Sequence, residues 1–166
     1  MTLTTNEQDL QALLARIADP DKSVRAEAMR GLAALGTPAV PACTALLQNP
    51  DWRVRYRAAE ALGLIRDAGA YAPLVAALGD GKDHVRYMAS KGLGLLGDRG
   101  AVAHLAAMQR DSNEFVRRSA AGSLGKLGGE EAVSALAAAL PGETVESVRQ
   151  AILAALREAG AEGYYS

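Results

Sequence analysis

Apolar positions along this chain recur at helical spacing, and the same spacing returns in several copies. Counting about 100° per residue from Val54, the residues Ala58, Ala61, Leu62 and Ile65 fall within about 80° of it. That stripe predicts an amphipathic helix with one buried face. No sustained period-two alternation is present, and β-branched and aromatic residues are sparse, so strands are not expected.

The stripe belongs to a repeated phrase. Val-Arg stands at 24–25, 54–55, 85–86, 116–117 and 148–149, at intervals of 30, 31, 31 and 32 residues. Each pair opens a similar run: "VRAEAMRGLAALG", "VRYRAAEALGLIR", "VRYMASKGLGLLG", "VRRSAAGSLGKLG" and "VRQAILAALREAG". A second phrase precedes it in step, as "AVPACTALL", "AYAPLVAAL", "AVAHLAAMQ" and "AVSALAAAL", with "DLQALLARI" in the first slot. The chain therefore reads as one domain of five units over residues 8–36, 37–66, 67–97, 98–128 and 129–160, with a tail at 161–166. Each unit has an upstream helix A and a Val-Arg helix B, separated by Gly, Pro and Asp punctuation.

A single pair of such helices cannot cover both apolar stripes, whereas stacked pairs can. The expected fold is all-α, an α-solenoid (alpha-alpha superhelix) of about five two-helix repeats. Asp21, Asp51 and Asn113, three residues before Val-Arg, are placed to cap helix B, with Asp83 or Thr144 as substitutes in the third and fifth units. The polar first helix and the tail after Arg157 are the expected end caps.

Asp, two variable residues, Val-Arg, two more, and then "AA-x-ALG" resembles the HEAT-like repeats named after phycocyanobilin lyase subunits. "DWRVRYRAAEALGLIRDAGAYAPLVAALGD" carries the resemblance best, and it extends over roughly residues 8 to 160. The resemblance implies a HEAT/armadillo-like fold with the B helices lining a concave face. The functions it implies are diverse, spanning lyase subunits, hydroxylases and scaffolds.

On helix B, the positions away from the stripe differ from copy to copy while the stripe hardly changes. Packing demands repetition, and a surface without packing duty is free to diverge. The divergent face carries Trp52, Arg53, Tyr56, Arg57 and Glu60 in the second unit, His84, Tyr87, Met88 and Lys91 in the third, and Phe115 and Arg118 in the fourth. Four of the seven aromatic residues of the chain fall there. Aromatics interleaved with Arg are the usual composition of binding hot spots. We therefore expect these eleven residues to form a concave partner-binding surface, the partner being a protein or peptide with acidic and apolar groups.

The Arg of each Val-Arg pair needs a separate reading. Arg25, Arg55, Arg86, Arg117 and Arg149 lie about 100° from the buried Val and form a row once repeats stack. Asp19, Asp21, Asp51, Asp80, Asp111 and Glu143 offer counter-charges, so the row is expected to be a structural ladder.

Candidate chemistry adds little. There is one cysteine, Cys43, within "VPACTALL", and it reads as a small core residue. Neither His84 nor His104 is followed by Glu, unlike the His-Glu pairs of the hydroxylases this repeat resembles, so no metal site is expected. "GLGLLGDRG" at 92–100 ends a helix instead of following a strand, which removes the phosphate-loop reading. No catalytic residues, cofactor or metal are predicted.

The net charge of −1 counts against nucleic acid as a partner, and no stretch approaches the length of a membrane span. With no basic, apolar leader, a cytoplasmic location and a monomeric state are the defaults. The first functional expectation is a non-enzymatic scaffold that binds protein or peptide on its concave face. The alternatives are an accessory subunit of a bilin-lyase-like enzyme and a HEAT-like nucleic-acid-binding protein.

Overall fold

The computed structural model describes residues 5–161. Ten α-helices follow one another in pairs: α1 (Thr5–Arg16) and α2 (Lys22–Leu35), α3 (Val40–Leu46) and α4 (Trp52–Ile65), α5 (Tyr71–Ala77) and α6 (Asp83–Leu96), α7 (Val102–Met108) and α8 (Glu114–Leu127), α9 (Gly129–Ala139) and α10 (Glu146–Glu158). No strand occurs among the described residues. The odd-numbered helices are the A helices and the even-numbered ones the B helices. Most of the tail expected at 161–166 lies outside the described residues. Ala161, its first residue, is buried against the core.

Both helices of a unit contribute to one continuous core. B helices insert Leu32, Leu62, Leu93, Leu124 and Leu156, and A helices insert Leu74, Leu105 and Leu136, all fully buried. Cys43 occupies the slot that Leu74 and Leu105 fill in the next two units, 31 and 62 residues further on. It too has no exposed surface, and burial pushes its thiol pKa up to about 11. Such a thiol is a packing group and a poor nucleophile.

Helix α4 lies along α6, α6 along α8 and α8 along α10, while most A helices meet chiefly the B helix of their own unit. The B row is therefore the tighter layer. Small residues permit the close approach. A Cβ added at Gly63 would stand 2.7 Å from Cα of Gly92, and one at Gly125 would stand 2.8 Å from Cα of Ala155. Hydroxyls complete the seam: Ser119 and Ser123 of α8 donate to the carbonyls of Tyr87 and Ser90 in α6, at 3.0 and 2.8 Å. A buried hydroxyl satisfied in this way avoids the cost of an orphaned polar group.

Caps set where each B helix begins. Asp21, Asp51 and Asn113 precede α2, α4 and α8 and accept from the N–H groups of Ser23, Arg53 and Phe115. The expected substitutes do not serve. Asp83 is already the first residue of α6, which starts after Lys82, and α10 starts after Val145; neither has a side-chain cap. There Asp80 and Glu143 accept from the N–H groups of Lys82 and Val145, at 2.8 Å each, one turn position earlier.

The expected Arg ladder is present. Arg55 makes a two-pronged contact with Asp80, through Nε at 2.7 Å and Nη2 at 2.9 Å. Arg86 does the same with Asp111 at 2.7 and 3.0 Å, and Arg117 with Glu143 at 2.7 and 3.0 Å. In each, Nη1 also donates to a carbonyl of the turn six residues upstream: Asn49, Asp80 and Asp111. Arg25 and Arg149 reach mainly backbone carbonyls, of Asp19 and Pro20 and of Leu140 and Glu143. Of the expected counter-charges, Asp21 and Asp51 are committed to capping instead.

Candidate functional site

The first two turns of α4, α6 and α8 present their side chains to one side of the stack. Together with the α1–α2 turn they enclose a groove of about 710 Å³. Its walls include Trp52, Arg53, Tyr56 and Arg57 from α4, His84 and Tyr87 from α6, and Phe115 and Arg118 from α8. Eight of the eleven residues expected on this face thus meet around one cavity.

The other three differ. Met88 does not face the groove; it is 3% exposed and packs in the core. It stands three residues after Val85, at about −60° on the helical wheel, which places it inside the buried stripe. Arg57, the equivalent residue of α4, is half-buried and extends its long side chain to the rim. Glu60 accepts a hydrogen bond from Arg57 Nη1 at 2.7 Å and so neutralises it instead of lining the cavity. Lys91 is exposed on α6, away from the lining.

Rings and cations are layered. Trp52 and His84 lie with ring centroids 4.7 Å apart and tilted by 49°. The Arg53 guanidinium and the Lys82 ammonium each stand 5.1 Å from the Trp52 ring. Arg57 covers Tyr56 at 4.9 Å, and Arg118 covers Phe115 at 5.2 Å. Attraction of the cation to the ring face orients each pair. Trp52, Tyr56 and Tyr87 rest on the core and are half-buried, whereas Phe115 is 50% exposed. Burial first, and then the Glu60 charge, raise the Tyr56 hydroxyl pKa, so this phenol stays neutral and can donate a hydrogen bond.

The acids of the groove are already engaged. Asp83 accepts from His84 Nδ1 at 2.8 Å and from Asn113 Nδ2 at 2.7 Å; the His84 side-chain bond foremost, with the His84 N–H and the charges of His84 and Lys82, outweighs burial and holds its carboxyl below the usual range. Asp19 accepts from the Asp21 N–H at 2.8 Å. The cations are less committed. Arg118 makes no ion pair among the described residues, and Arg53, 70% exposed, has only Asp51 at 3.6 Å. The groove is thus electropositive and aromatic.

Sequence reasoning does not point to Ala18, Asp19, Pro20, Arg25 or Asn113 as walls of this cavity. Ala18, Asp19, Pro20 and Asn113 lie in turns, which a helical wheel does not cover, whereas Arg25 is in the first turn of α2 and is read as part of the Arg ladder. The repeat register holds the available signal: Asn113 stands immediately before α8 as Asp51 does before α4.

Among the described residues, no group of His, Cys, Asp and Glu is placed to hold a metal ion. No helix among them is long and apolar enough to cross a membrane.

Comparison with solved structures places this arrangement in a known architecture. The complex of CpcE and CpcF of phycocyanin lyase from Nostoc sp. superimposes with a TM-score of 0.80 at 23% identity, covering 90% of this chain and 98% of that one. YibA of E. coli gives 0.77 at 17% identity, over 99% of this chain and 66% of that one. A designed armadillo-repeat protein for modular peptide recognition gives 0.60 at 21% identity, over 90% and 81%. At such identities the likeness is one of fold. No curated protein matches the sequence. The HEAT-repeat pattern matches residues 10–86 and 72–157, and the chain belongs to the HEAT-repeat family.

Proposed function

We propose that this chain is a non-enzymatic HEAT-repeat subunit that works beside another protein in an assembly of the chromophore-lyase type. The observation that carries the reading is the near end-to-end likeness to the phycocyanin-lyase complex, which spans almost the whole of that chain. It favours the accessory-subunit reading over a free-standing peptide scaffold. The groove supplies the means. Its stacked rings and uncommitted guanidinium groups suit a partner with acidic and apolar groups, or a conjugated ligand with carboxylates.

The test uses the only tryptophan in the chain, Trp52, as its reporter. Phycocyanobilin or biliverdin is added to the purified protein, and bilin absorbance and Trp52 emission are followed together. The reading expects a shifted absorbance band and quenched emission, with the band shift lost in Tyr87→Ala. Unchanged spectra at every bilin concentration contradict the chromophore part of the proposal.

A further inference from the structure

Arg53, whose contact with Asp51 is a loose 3.6 Å, and Arg118, which makes no ion pair among the described residues, stand in the groove on either side of α6. Arg53 projects from the first turn of α4, and Arg118 from the second turn of α8. One B helix, α6, lies between them. Packed helices are spaced about 8–10 Å apart, so the axes of α4 and α8 lie roughly 16–20 Å apart, and a ligand touching both helices spans about that distance. An extended polypeptide advances about 3.3 Å per residue, so it crosses that gap in five or six residues.

The middle of the groove is different. Tyr87 and the Trp52–His84 pair form an apolar floor there. His84 Nδ1 is held by Asp83 at 2.8 Å, which leaves Nε2 as the ring nitrogen open to a ligand. The positive ends of three 14-residue helices, α4, α6 and α8, face the same rim.

Resting on the reading of this groove as a partner site, we propose that it holds an extended acidic peptide segment running across α4, α6 and α8. Two carboxylates of the segment, about five or six residues apart, engage Arg53 and Arg118. An apolar side chain between them lies over Tyr87. Charge complementarity favours this occupant: the acids Asp83 and Asp19 accept hydrogen bonds within the protein, while Arg118 makes no ion pair among the described residues and Arg53 has only Asp51 at 3.6 Å. Direction across the helices matters equally, because a linear chain matches successive repeats as a compact ligand does not.

The test is a series of synthetic peptides in a Gly/Ser frame, each with two Glu and a central Leu. The Glu are set roughly three, six or nine residues apart, and a control carries Lys in their place. Binding is followed by anisotropy of a labelled peptide and by Trp52 emission. The expected result is tightest binding at a spacing of six, weaker by about tenfold at the other spacings and with Lys. Arg53→Ala and Arg118→Ala each lower affinity by about tenfold and erase the preference for spacing. Both side chains are exposed, so circular dichroism and thermal midpoints of these variants should match the wild type. Equal binding of the Lys peptide, or no dependence on spacing, overturns the proposal. If no peptide binds while bilin shifts the spectra, the peptide inference fails and the chromophore reading stands. If the six-spaced peptide binds and bilin has no effect, the inference stands and the chromophore reading fails.

Discussion

Arg86 and Asp111 join consecutive repeats through a paired contact, with Nε 2.7 Å from Oδ2 and Nη2 3.0 Å from Oδ1, across 25 residues of sequence. Asp111 serves three roles at once. Its carboxylate receives Arg86, Oδ1 accepts from the N–H of Asn113 at 2.9 Å, and its carbonyl accepts from Arg117 Nη1 at 2.9 Å. Asp80 and Glu143 repeat the pattern on either side, so three turns are tied into one ladder.

Removing Asp111 leaves a largely buried guanidinium without its counter-charge. Asp111→Ala should cost about 3 kcal/mol in denaturant unfolding, as for other buried pairs broken from one side. Asp19 holds the same place in the first unit but receives no guanidinium on its side chain. Asp19→Ala should cost only about 1 kcal/mol, the worth of one hydrogen bond. Asn49 fills the equivalent slot in the second unit, beside an Arg25 that reaches only carbonyls. Asn49→Asp is expected to stabilise by about 0.5–1 kcal/mol. Equal losses for Asp111→Ala and Asp19→Ala would remove the ladder from the account.

The same contacts set a pH dependence. Arg55 holds the Asp80 carboxyl below its ordinary range, and Arg117 does so for Glu143. For Asp111, burial works upward, but the hydrogen bonds from Arg86 and the Asn113 N–H and the charges of Arg86 and Arg117 outweigh it and the carboxyl is lowered. A carboxyl with a lowered pKa in the folded state contributes fully above its unfolded value, about 4, and loses that contribution as pH falls through the folded value. Unfolding midpoints in urea should therefore be level from about pH 7 to pH 5 and decline below about pH 4. The decline should be shallower in Asp111→Asn, and identical slopes for the two proteins would contradict the assignment.

Two glycines on B helices make opposite predictions from one substitution. At Gly63 a Cβ meets Cα of Gly92 at 2.7 Å, a backbone atom that cannot step aside. At Gly122 a Cβ meets nothing within 4 Å. Alanine favours a helix interior over glycine by about 0.8–1 kcal/mol. Gly122→Ala should therefore stabilise by about that amount. In Gly63→Ala, overpacking of about 1–3 kcal/mol should exceed the helix gain, giving a net loss. Calorimetric midpoints that rise for both variants would show that the B helices are not in close contact.

Arg66 is the one residue other than glycine with positive φ among the described residues, at 56°, in the slot where the neighbouring units have Gly36, Gly97 and Gly128. A side chain in the left-handed region costs about 1–2 kcal/mol, offset in part by the lower backbone entropy cost of a non-glycine residue. Arg66→Gly should raise the unfolding free energy by about 0.5–1 kcal/mol. A lowered midpoint would indicate that the Arg66 side chain makes a compensating contact.

The fold is legible because stacking forces repetition. Val85 and Val116 are fully buried, and the Leu of every B helix sits in the core, where the wheel places it. Legibility ends where a side chain's length decides its direction. Arg57 and Met88 share one wheel position, yet the first reaches the rim and the second enters the core. It ends again at turns, which have no period: Asp83 does not cap α6, and Asp19 and Pro20 reach the groove from a segment the helical pattern leaves unassigned. The aromatic side of the site is readable, since rings that do not repeat are conspicuous against a core that does.

On the function proposed above, the groove over α4, α6 and α8 is a binding surface and not part of the packing. The most direct measurement is a side-by-side unfolding and capture experiment on the Trp52→Ala/Tyr87→Ala variant and on Leu62→Ala. Leu62 is fully buried, so its truncation should cost about 2–5 kcal/mol. The groove variant should keep most of the wild-type stability and lose the proteins that the wild type captures from native lysate. A groove variant that unfolds as readily as Leu62→Ala, or one that retains every captured protein, would contradict the account.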